Sequence, residues 1–268
     1  MSVSYTETTV LVTGASSGLG EEFARQFAAR GANLVLVARR IDRLDRLAAE
    51  LRAAHGITVL PLQSDLTAPD AASALGAELE SRSIRVSSLV NNAGFATRNR
   101  FENEIPARID QEVGLNVSAL VAITRQFYPQ LLEHSAGVLI NVASTAAYQP
   151  VPLMAVYGAT KAFVLSFTEA LWSEAKGSGL KVLALSPGAT RTEFFDVAGA
   201  EAKVGTFRSA TDVVSMALAT LDRGNPPPSV IDGGANRAAV FMSRLISRRG
   251  VIKLTELIVG RNSDRAPQ

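Results

Sequence analysis

Short apolar runs alternate with longer segments of helical periodicity along most of this 268-residue chain. Two of the runs, Leu34–Val37 and Val138–Ile140, contain no polar residue, which is typical of strands covered on both faces in a parallel sheet. The runs predict seven strands, at Thr9–Val12, Asn33–Val37, Thr58–Leu62, Ser88–Asn91, Gly137–Val142, Lys181–Ser186 and Ser229–Asp232.

The segments between these runs carry apolar residues at the three-to-four-residue spacing of helices. Strand–helix alternation of this kind favours right-handed crossovers. It therefore predicts an α/β fold, a doubly wound parallel sheet of about seven strands with helices on both faces. No linker or short-period repeat interrupts it, so we expect a single domain over residues 1–268. The predicted helices are Gly18–Arg30, Asp42–His55, Pro69–Ser81, Ala107–Glu133, Val156–Lys176 and Thr211–Arg223.

The residues after Gly234 do not continue the alternation. Between Ala235 and Gln268, seven basic and two acidic residues are interleaved with apolar ones. This composition predicts a helical basic extension, about residues 235–268, formed by two short amphipathic helices broken at Gly250. We expect its apolar side chains to pack on the body or on a neighbouring subunit. Peripheral contact with an anionic membrane is the less favoured alternative.

Composition excludes several classes of protein. The chain has no cysteine and only two histidines, so disulfides, thiolate metal sites and multi-histidine zinc sites are not expected. A net charge of +2 is too small to indicate a nucleic-acid partner. The sequence has no secretory signal pattern and no apolar run of membrane-spanning length, and we expect a cytoplasmic protein.

Three glycines follow the first predicted strand. Gly14, Gly18 and Gly20 have the spacing G-x-x-x-G-x-G between an apolar strand and a helix. Glycine allows a tight turn and a close approach of the backbone to phosphate. The first turn of the helix directs N–H groups and the positive end of its dipole at an anion. An ordinary turn is the alternative, but the flanking strand and helix favour a site for a nucleotide pyrophosphate.

Tyr157 and Lys161 are four residues apart in a predicted helix, so both side chains project on one face. A free phenol has a pKa near ~10, and a neighbouring cation favours its anion. At about 4 Å and an effective dielectric of about 20, the pair energy is about 4 kcal/mol, or about 3 pKa units. We therefore expect Lys161 to bring the pKa of Tyr157 towards the working pH, as general acid–base catalysis requires. Tyr128 and Tyr148 have no lysine four residues later and are not candidates.

Two further polar residues accompany this pair. Ser144 lies just past the fifth predicted strand, at the sheet edge where open α/β folds bind ligands. Its hydroxyl can hold a substrate oxygen, although a helix cap is the alternative role. Asn116 lies within a helical pattern, where asparagine is unfavourable. A buried structural hydrogen bond would account for it.

In order and spacing, these features resemble the short-chain dehydrogenase/reductase family. The resemblance covers residues 8 to about 233 and implies a single-domain Rossmann-type fold and NAD(P)-dependent oxidoreductase chemistry. It also implies a catalytic tetrad in which Tyr157 transfers the proton and Lys161 lowers its pKa, while Ser144 positions the substrate oxygen. Asn116 would order a water that links Lys161 to solvent. The motifs are Thr13–Gly20, Asn91–Gly94, Asn116, Ser144, Tyr157-x-x-x-Lys161 and Pro187–Gly188.

The same resemblance implies a set of cofactor-binding residues. NAD sites often place a carboxylate at the end of the second strand; here that position is Ala38, followed by Arg39, whose guanidinium suits a 2′-phosphate. We therefore expect NADP(H) to be preferred and NAD(H) to be usable. Alternatively, Arg39 and Arg40 only pair with Asp42 and Asp45 at the surface. The implied residues are Gly14, Ser16, Ser17, Gly18, Leu19, Gly20, Arg39, Asp65, Leu66, Asn92, Ala93, Gly94, Tyr157, Lys161, Pro187, Gly188 and Thr192.

The predicted function is NADPH-dependent reduction of a ketone or aldehyde, or the reverse oxidation of an alcohol. Two alternatives remain open: a nucleotide-binding regulator without turnover, and an epimerase or dehydratase of the same family. A hydrophobic substrate is indicated by the residues expected near the carbonyl, namely Phe95, Ala146, Ala147, Gln149, Val151, Leu153, Met154, Phe194 and Phe195.

We also expect a homo-oligomer, a dimer or tetramer. In the family, the helices that match residues 107–133 and 156–176 commonly form a four-helix interface between subunits. Covering the sheet is the alternative role for their apolar side chains. The candidate contacts are Leu120, Ile123, Phe127, Phe163, Phe167 and Trp172.

Overall fold

Seven parallel strands form the centre of the molecule. The structure is a computed structural model that describes residues 5–134, 136–194 and 207–263. The strands pair in the order β3-β2-β1-β4-β5-β6-β7, and every pair is parallel. The predicted parallel sheet is thus confirmed. Its strands are β1 Thr9–Thr13, β2 Asn33–Ala38, β3 Val59–Gln63, β4 Ser88–Asn91, β5 Val138–Val142, β6 Lys181–Ser186 and β7 Ser229–Ile231.

The helices agree with the periodicity. The helix predicted over Ala107–Glu133 is present as continuous helical structure, but a π-helical segment that was not predicted, Gly114–Ala119, separates its two α-helical parts. Such segments often mark functional sites, and this one contains Asn116. The α-helices are α1 Gly18–Ala29, α2 Ile41–His55, α3 Ala71–Ser81, α4 Pro106–Val113, α5 Leu120–Glu133, α6 Ala155–Glu174, α7 Ala210–Leu221, α8 Gly234–Ser243 and α9 Arg248–Ser263.

Alternate side chains of each strand enter two separate cores. Val10 and Val12 of β1 face the core that contains residues of α1, α2 and α7. Leu11, between them, faces the core that contains residues of α3, α5 and α6. This is the two-residue alternation of a strand with apolar neighbours on both sides. Helices therefore cover both faces of the sheet, as predicted.

A buried polar network fixes the carboxyl ends of the central strands. Asn91, at the end of β4, donates from Nδ2 to Thr124 Oγ1 at 2.8 Å and to Asn141 Oδ1 at 2.9 Å. Asn141 of β5 donates to Thr168 Oγ1 at 2.9 Å. These bonds tie β4 and β5 to α5 and α6 and hold the edge of the sheet beside β1, where the strand order reverses.

The C-terminal extension forms two helices, α8 and α9. Among their described side chains, only Val240, Val251 and Thr255 are buried, so most of their apolar residues do not pack on the body of this chain. Packing on a neighbouring subunit, the other part of the expectation, stays a prediction. The break between the helices lies at residues 244–247, and Gly250 lies inside α9. Within the described residues, no helix has the length and apolar character needed to cross a membrane. The exposed apolar side chains are Phe241, Met242, Leu245, Ile246, Ile252, Leu254 and Leu257.

The apolar residues expected at a subunit interface fall into two groups. Leu120, Ile123 and Phe127 are buried within the chain and therefore belong to its own core, which corrects the prediction for them. Phe163 on α6 is 42% exposed and its ring stacks on Phe167 at 5.8 Å between centroids. An interface on this side of the molecule would therefore use the outer face of α6.

Candidate active site

A cavity of about 580 Å³ lies at the carboxyl edge of the sheet. It brings together almost all residues predicted for the site, from segments far apart in the sequence. Gly20 and Asn116 are the two that do not line it; both are buried behind its wall. The predicted residues that line it are Gly14, Ser16, Ser17, Gly18, Leu19, Arg39, Asp65, Leu66, Asn92, Ala93, Gly94, Ser144, Tyr157, Lys161, Pro187, Gly188 and Thr192.

The glycine loop forms one end of the cavity. Gly14 and Gly18 have φ values of +65° and +57°, in the left-handed region that favours glycine. At Gly20, an added Cβ would lie 2.3 Å from the carbonyl oxygen of Gly14, so this glycine allows α1 to pack against the loop. Ser17, the N-cap of α1, makes no side-chain cap hydrogen bond. The first-turn amides of α1 are therefore not capped by that hydroxyl, which suits a helix terminus that binds an anion.

Asn92, which directly follows the neighbouring strand β4, holds the glycine loop by hydrogen bonds. Its Nδ2 donates to the carbonyl oxygens of Thr13 and Gly14 at 3.0 and 3.2 Å. The backbone amides of Asn92 and Ala93 donate to Thr13 Oγ1 at 3.0 and 3.1 Å. The segment after β4 therefore supports the loop structurally and lines the cavity as well.

Arg40, rather than Arg39, makes the contacts at the far end of the loop. Its guanidinium donates to Ser16 Oγ at 3.0 Å and to Ser17 Oγ at 2.9 Å. Arg39 lines the same end of the cavity and is exposed. The alternative was a surface pair of Arg40 with Asp42 or Asp45. Asp42 pairs instead with Arg46, and Arg40 pairs with Glu193.

The carboxylate of Glu193, in the segment after β6, forms ion pairs at this end of the cavity. Glu193 accepts from Arg40 at 2.8 Å and from Arg43 at 2.5 Å. Hydrogen bonds from Arg43 and then Arg40 lower the pKa of Glu193 to about 2, so it is charged at ordinary pH. Thr192, the residue before it, packs on the loop: an added Cβ at Gly18 would lie 2.9 Å from Thr192 Cβ.

Asp65 is held by its own turn. Its Oδ1 accepts from the amide of Thr67 at 3.0 Å and from the Thr67 hydroxyl at 2.7 Å. These bonds, together with the charge of Arg39, lower the pKa of the Asp65 carboxyl. Asp65 and Leu66 both line the cavity, at the end that Arg39 also lines.

Tyr157 and Lys161 lie at the other end, on the inner face of α6, and both are buried. Lys161 Nζ donates to the carbonyl oxygen of Val142 at 2.7 Å and lies 5.8 Å from the centre of the Tyr157 ring. The hydroxyl of Ser144 accepts from the amide of Ala146 at 3.1 Å and is also hydrogen-bonded to Tyr157. Ser144 therefore caps a helix, which was the alternative role, and lies beside the phenol. Its predicted role of holding a substrate oxygen stays a prediction.

Asn116 supports this end from behind. Its side chain accepts from the amide of Phe95 at 3.1 Å and donates to the Phe95 carbonyl oxygen at 2.9 Å and to Thr160 Oγ1 at 3.2 Å. Thr160 in turn donates to the carbonyl oxygen of Tyr157 at 2.8 Å. The buried structural hydrogen bond that would account for asparagine here is therefore present. The water relay to Lys161 stays a prediction.

The expected lowering of the phenol pKa is not found among the protein's own groups. Burial raises the pKa of Tyr157 to about 12, although the hydrogen bond with Ser144 opposes this. Burial also lowers the pKa of Lys161 to about 8. Desolvation disfavours the charged form of each group, and here it is the largest influence on both pKa values. The expectation considered the pair energy and omitted the cost of burial.

Several residues of the site were missed or misassigned from the sequence. Ala147 and Leu153 do not line the cavity, and Phe195 lies outside the described residues. Glu112 was missed, although it lies four residues before Asn116, a spacing that places both on one helix face. Further lining residues that were not predicted include Arg40, Arg108, Gln111, Leu115, Glu193, Asn236 and Thr255. No motif in the sequence marks these residues.

Comparison with known proteins gives consistent matches. The pattern that describes short chain dehydrogenases matches residues 8–203. Serine 3-dehydrogenase from Agrobacterium fabrum is 37% identical over 188 residues, which are 69% of this chain and 73% of that protein. A short chain dehydrogenase from Pseudocercospora fijiensis is 35% identical over 188 residues, 69% of this chain but only 60% of its own length.

Solved structures agree with the fold. A short-chain dehydrogenase from Sphingobium yanoikuyae in complex with NADPH superposes with a TM-score of 0.78 at 37% identity, covering 89% of this chain and 94% of that one. A bulky-bulky ketone specific alcohol dehydrogenase from Comamonas testosteroni has a TM-score of 0.74 at 31% identity, covering 89% and 92%. The chain therefore belongs to the short-chain dehydrogenase family of oxidoreductases.

Proposed function

We propose that this protein reduces a hydrophobic ketone or aldehyde with NADPH, or catalyses the reverse oxidation. One observation carries the proposal: a phenol, an ammonium and a serine hydroxyl share the buried end of the cavity whose other end is a glycine loop with two arginines. The buried end suits proton transfer at a carbonyl oxygen. The glycine end suits a dinucleotide.

The residues present fit that cofactor. The uncapped first turn of α1 suits the pyrophosphate, and Arg40, Ser16 and Ser17 supply donors for a 2′-phosphate. The NADPH complex of the Sphingobium relative supports this choice. A 3-ketoacyl-(acyl-carrier-protein) reductase from Brucella melitensis complexed with NADH, 31% identical, is a reason to keep NAD(H) as usable.

The mechanism assigns a separate role to each buried residue. When bound, the nicotinamide supplies hydride to the carbonyl carbon. The Ser144 hydroxyl holds the carbonyl oxygen and Tyr157 gives it the proton. Because burial raises the pKa of Tyr157 to about 12, the phenol keeps its proton at neutral pH. Lys161, with a pKa of about 8, is mostly an ammonium there and stabilises the phenolate as it forms.

The substrate end of the cavity is largely apolar. Phe95, Val151, Met154 and Phe194 line it, and the Phe194 ring lies 5.5 Å from the ring of Tyr157. Arg108 also lines it, but its guanidinium lies over the Phe95 ring at 4.7 Å. A hydrophobic carbonyl compound fits this wall best, and the bulky-ketone specificity of the Comamonas relative supports that class.

The decisive test is Tyr157→Phe, followed by NADPH absorbance with a panel of ketones and aldehydes. We expect kcat to fall by about 10³-fold, because general acid catalysis contributes on the order of 10²–10⁴-fold. Tyr128→Phe, a phenol that contacts the Leu171 carbonyl oxygen outside the cavity, is the matched control and should keep its activity. Near-normal turnover in Tyr157→Phe would remove the assignment. Turnover without net change in NADPH would indicate an epimerase or dehydratase instead.

We also propose a homo-oligomer that uses the outer face of α4 and α6. A shallow apolar groove there has no charged lining residue, and Phe163 at its edge is 42% exposed. A second copy of the chain is the partner that the family resemblance implies. Sedimentation should give a dimer or tetramer that Phe163→Glu converts to smaller species; a monomer at micromolar concentration would contradict this. The groove is lined by Ile109, Val113, Val117, Ala155, Val156, Ala159, Thr160 and Phe163.

A further inference from the structure

Glu112 is a fully buried carboxyl group in the last turn of α4, with an exposed fraction of 0%. Its Oε2 accepts from the amide of Thr97 at 3.0 Å and from the Thr97 hydroxyl at 2.7 Å. Its Oε1 is buried and makes no hydrogen bond within the described residues. A buried carboxylate with half of its acceptors unpaired is costly. A role beyond anchoring one threonine would explain why it is kept.

Burial raises the pKa of the Glu112 carboxyl, and the hydrogen bonds from Thr97 oppose this. Among the charged groups, the Lys161 ammonium of α6 lowers the pKa of Glu112, and Glu112 in turn raises the pKa of both Lys161 and Tyr157. From the preceding loop, Glu104 raises the pKa of Glu112. The loop between β4 and α4 also carries Arg98 and Arg100, and α4 carries Arg108, whose guanidinium lies over the Phe95 ring. Of these groups, Glu112, Lys161 and Tyr157 are buried.

Glu112 and Asn116 are one helical turn apart and hold the same stretch of the loop after β4. Asn116 bonds both backbone groups of Phe95, and Glu112 bonds the amide and hydroxyl of Thr97. Phe95 lines the cavity beside Tyr157. The two side chains therefore fix this part of the wall, but only Glu112 adds a charge to it.

We propose that Glu112 is a positioning residue of the reaction, a buried carboxylate whose charge keeps Lys161 an ammonium while its Oε2 holds the loop at Thr97. The proposal rests on the proposed function, because it gives Lys161 and Tyr157 their roles there. Glu112 need not touch substrate or cofactor. It acts through Lys161.

The direction of the effect follows from the sign of the charge. Without the Glu112 anion, both the Lys161 ammonium and the neutral Tyr157 phenol lose a proton more easily, so both pKa values fall. Reduction needs the protonated phenol and the ammonium, so the alkaline limb of its pH–rate profile moves to lower pH. Oxidation needs the phenolate, so its acid limb moves to lower pH as well. A purely structural role would lower stability or rate and leave the limbs in place.

Glu112→Gln and Glu112→Asp separate charge from anchoring. Glutamine retains an oxygen that can accept both Thr97 bonds but removes the charge. Aspartate keeps the charge and is too short to hold Thr97. We expect Glu112→Gln to move the alkaline limb of reduction down by about one pH unit. Glu112→Asp should lower the melting temperature with little shift of the limb. Asp110→Asn, the same charge change at an exposed site on α4, is the control and should leave the pH profile unchanged.

A second measurement does not depend on turnover. The chain has four tyrosines, so phenolate absorbance can be titrated, with the Tyr157→Phe curve subtracted to isolate Tyr157. In Glu112→Gln this titration should also move to lower pH. If the Tyr157→Phe variant stayed active, the proposed function would fail first. If Tyr157→Phe were inactive but Glu112→Gln had the same pH–rate profile and the same phenolate titration as the unmodified protein, only the role of Glu112 would be overturned. Should Glu112→Gln not fold, a displaced limb in Glu112→Asp, whose charge is intact, would overturn it.

Discussion

The two ends of the cavity recognise their ligands by opposite physical means. The glycine end uses backbone geometry and half-exposed charges: positive φ at Gly14 and Gly18, and an Arg40–Glu193 pair whose side chains are 41% and 42% exposed. The catalytic end uses buried polar side chains, whose pKa values are shifted by loss of water at Tyr157 and Lys161. Solvent screens charges at the first end and not at the second.

This difference separates binding from chemistry within one cavity. At the glycine end, a substitution that changes the shape of the loop should weaken cofactor binding severely. Loss of one charge should weaken it only moderately, because water can replace the lost contact. At the catalytic end, the loss of a charge should have the larger effect on activity, because no water is present to compensate a buried group. The variants below test that division, from the largest expected effect to the smallest.

Gly20→Ala should weaken cofactor binding strongly and also destabilise the fold. Its Cβ would lie 2.3 Å from the Gly14 carbonyl oxygen and 2.5 Å from Asn92 Nδ2, so the loop must shift. We expect stability to fall by about 1–3 kcal/mol and NADPH binding to weaken by on the order of 100-fold, measured by melting and fluorescence titration. Gly224→Ala, where no atom lies within 4 Å of the added Cβ, is the matched control. Normal affinity in Gly20→Ala would contradict the dependence on shape.

Arg40→Ala should weaken NADPH binding by about 1.5–3 kcal/mol, roughly 10–150-fold, and NADH binding little, because it removes a charge-assisted phosphate contact. Arg39→Ala should reduce the same preference, but less, because Arg40 is the arginine that reaches Ser16 and Ser17. Calorimetric titration with both cofactors measures the two ratios. An equal loss for NADPH and NADH in both variants would rule out a 2′-phosphate site here.

Glu193→Gln should have the smallest effect and the opposite sign. The carboxylate competes with a phosphate for Arg40 and Arg43, so its removal should tighten NADPH binding by a few-fold, in line with about 0.2–1 kcal/mol for an exposed pair. Because the pKa of Glu193 is lowered to about 2, its contribution to stability is present above the unfolded value and lost as pH falls towards 2. Weaker NADPH binding in this variant would contradict the competition.

The spacing of the apolar residues and the order of the predicted elements were sufficient to predict most of the fold. Strands such as Leu34–Val37 are apolar on both faces, and that pattern has few structural solutions besides a covered parallel sheet. The π-helical segment inside the helix predicted over Ala107–Glu133 was not foreseen. Its hydrogen bonds run i→i+5 instead of i→i+4, and hydrophobic spacing does not report such a local change. The exposed apolar side chains of α8 and α9 could not be foreseen either, because periodicity does not say which neighbour covers a face.

The site was predictable where a residue type is tied to a backbone requirement or to a fixed spacing. Gly14 and Tyr157 belong to that class. Arg40 and Glu193 do not, because each is defined by a partner far away in the sequence: their ion pair links the segment after β6 to the residue before α2. The shift of the Tyr157 pKa was misjudged for the same reason. Burial depends on the complete fold, and pair spacing alone does not measure it.

Asn236 and Thr255 line the same cavity as Gly14, although almost the whole sequence separates them. Most of the sheet is built from neighbouring strands and can form early, whereas this wall needs the final helices to dock. Folding should therefore pass through a species that has the central strands but an open cavity. During synthesis, the binding site would mature only after α8 and α9 have emerged, and activity would report the docking of these helices rather than formation of the core.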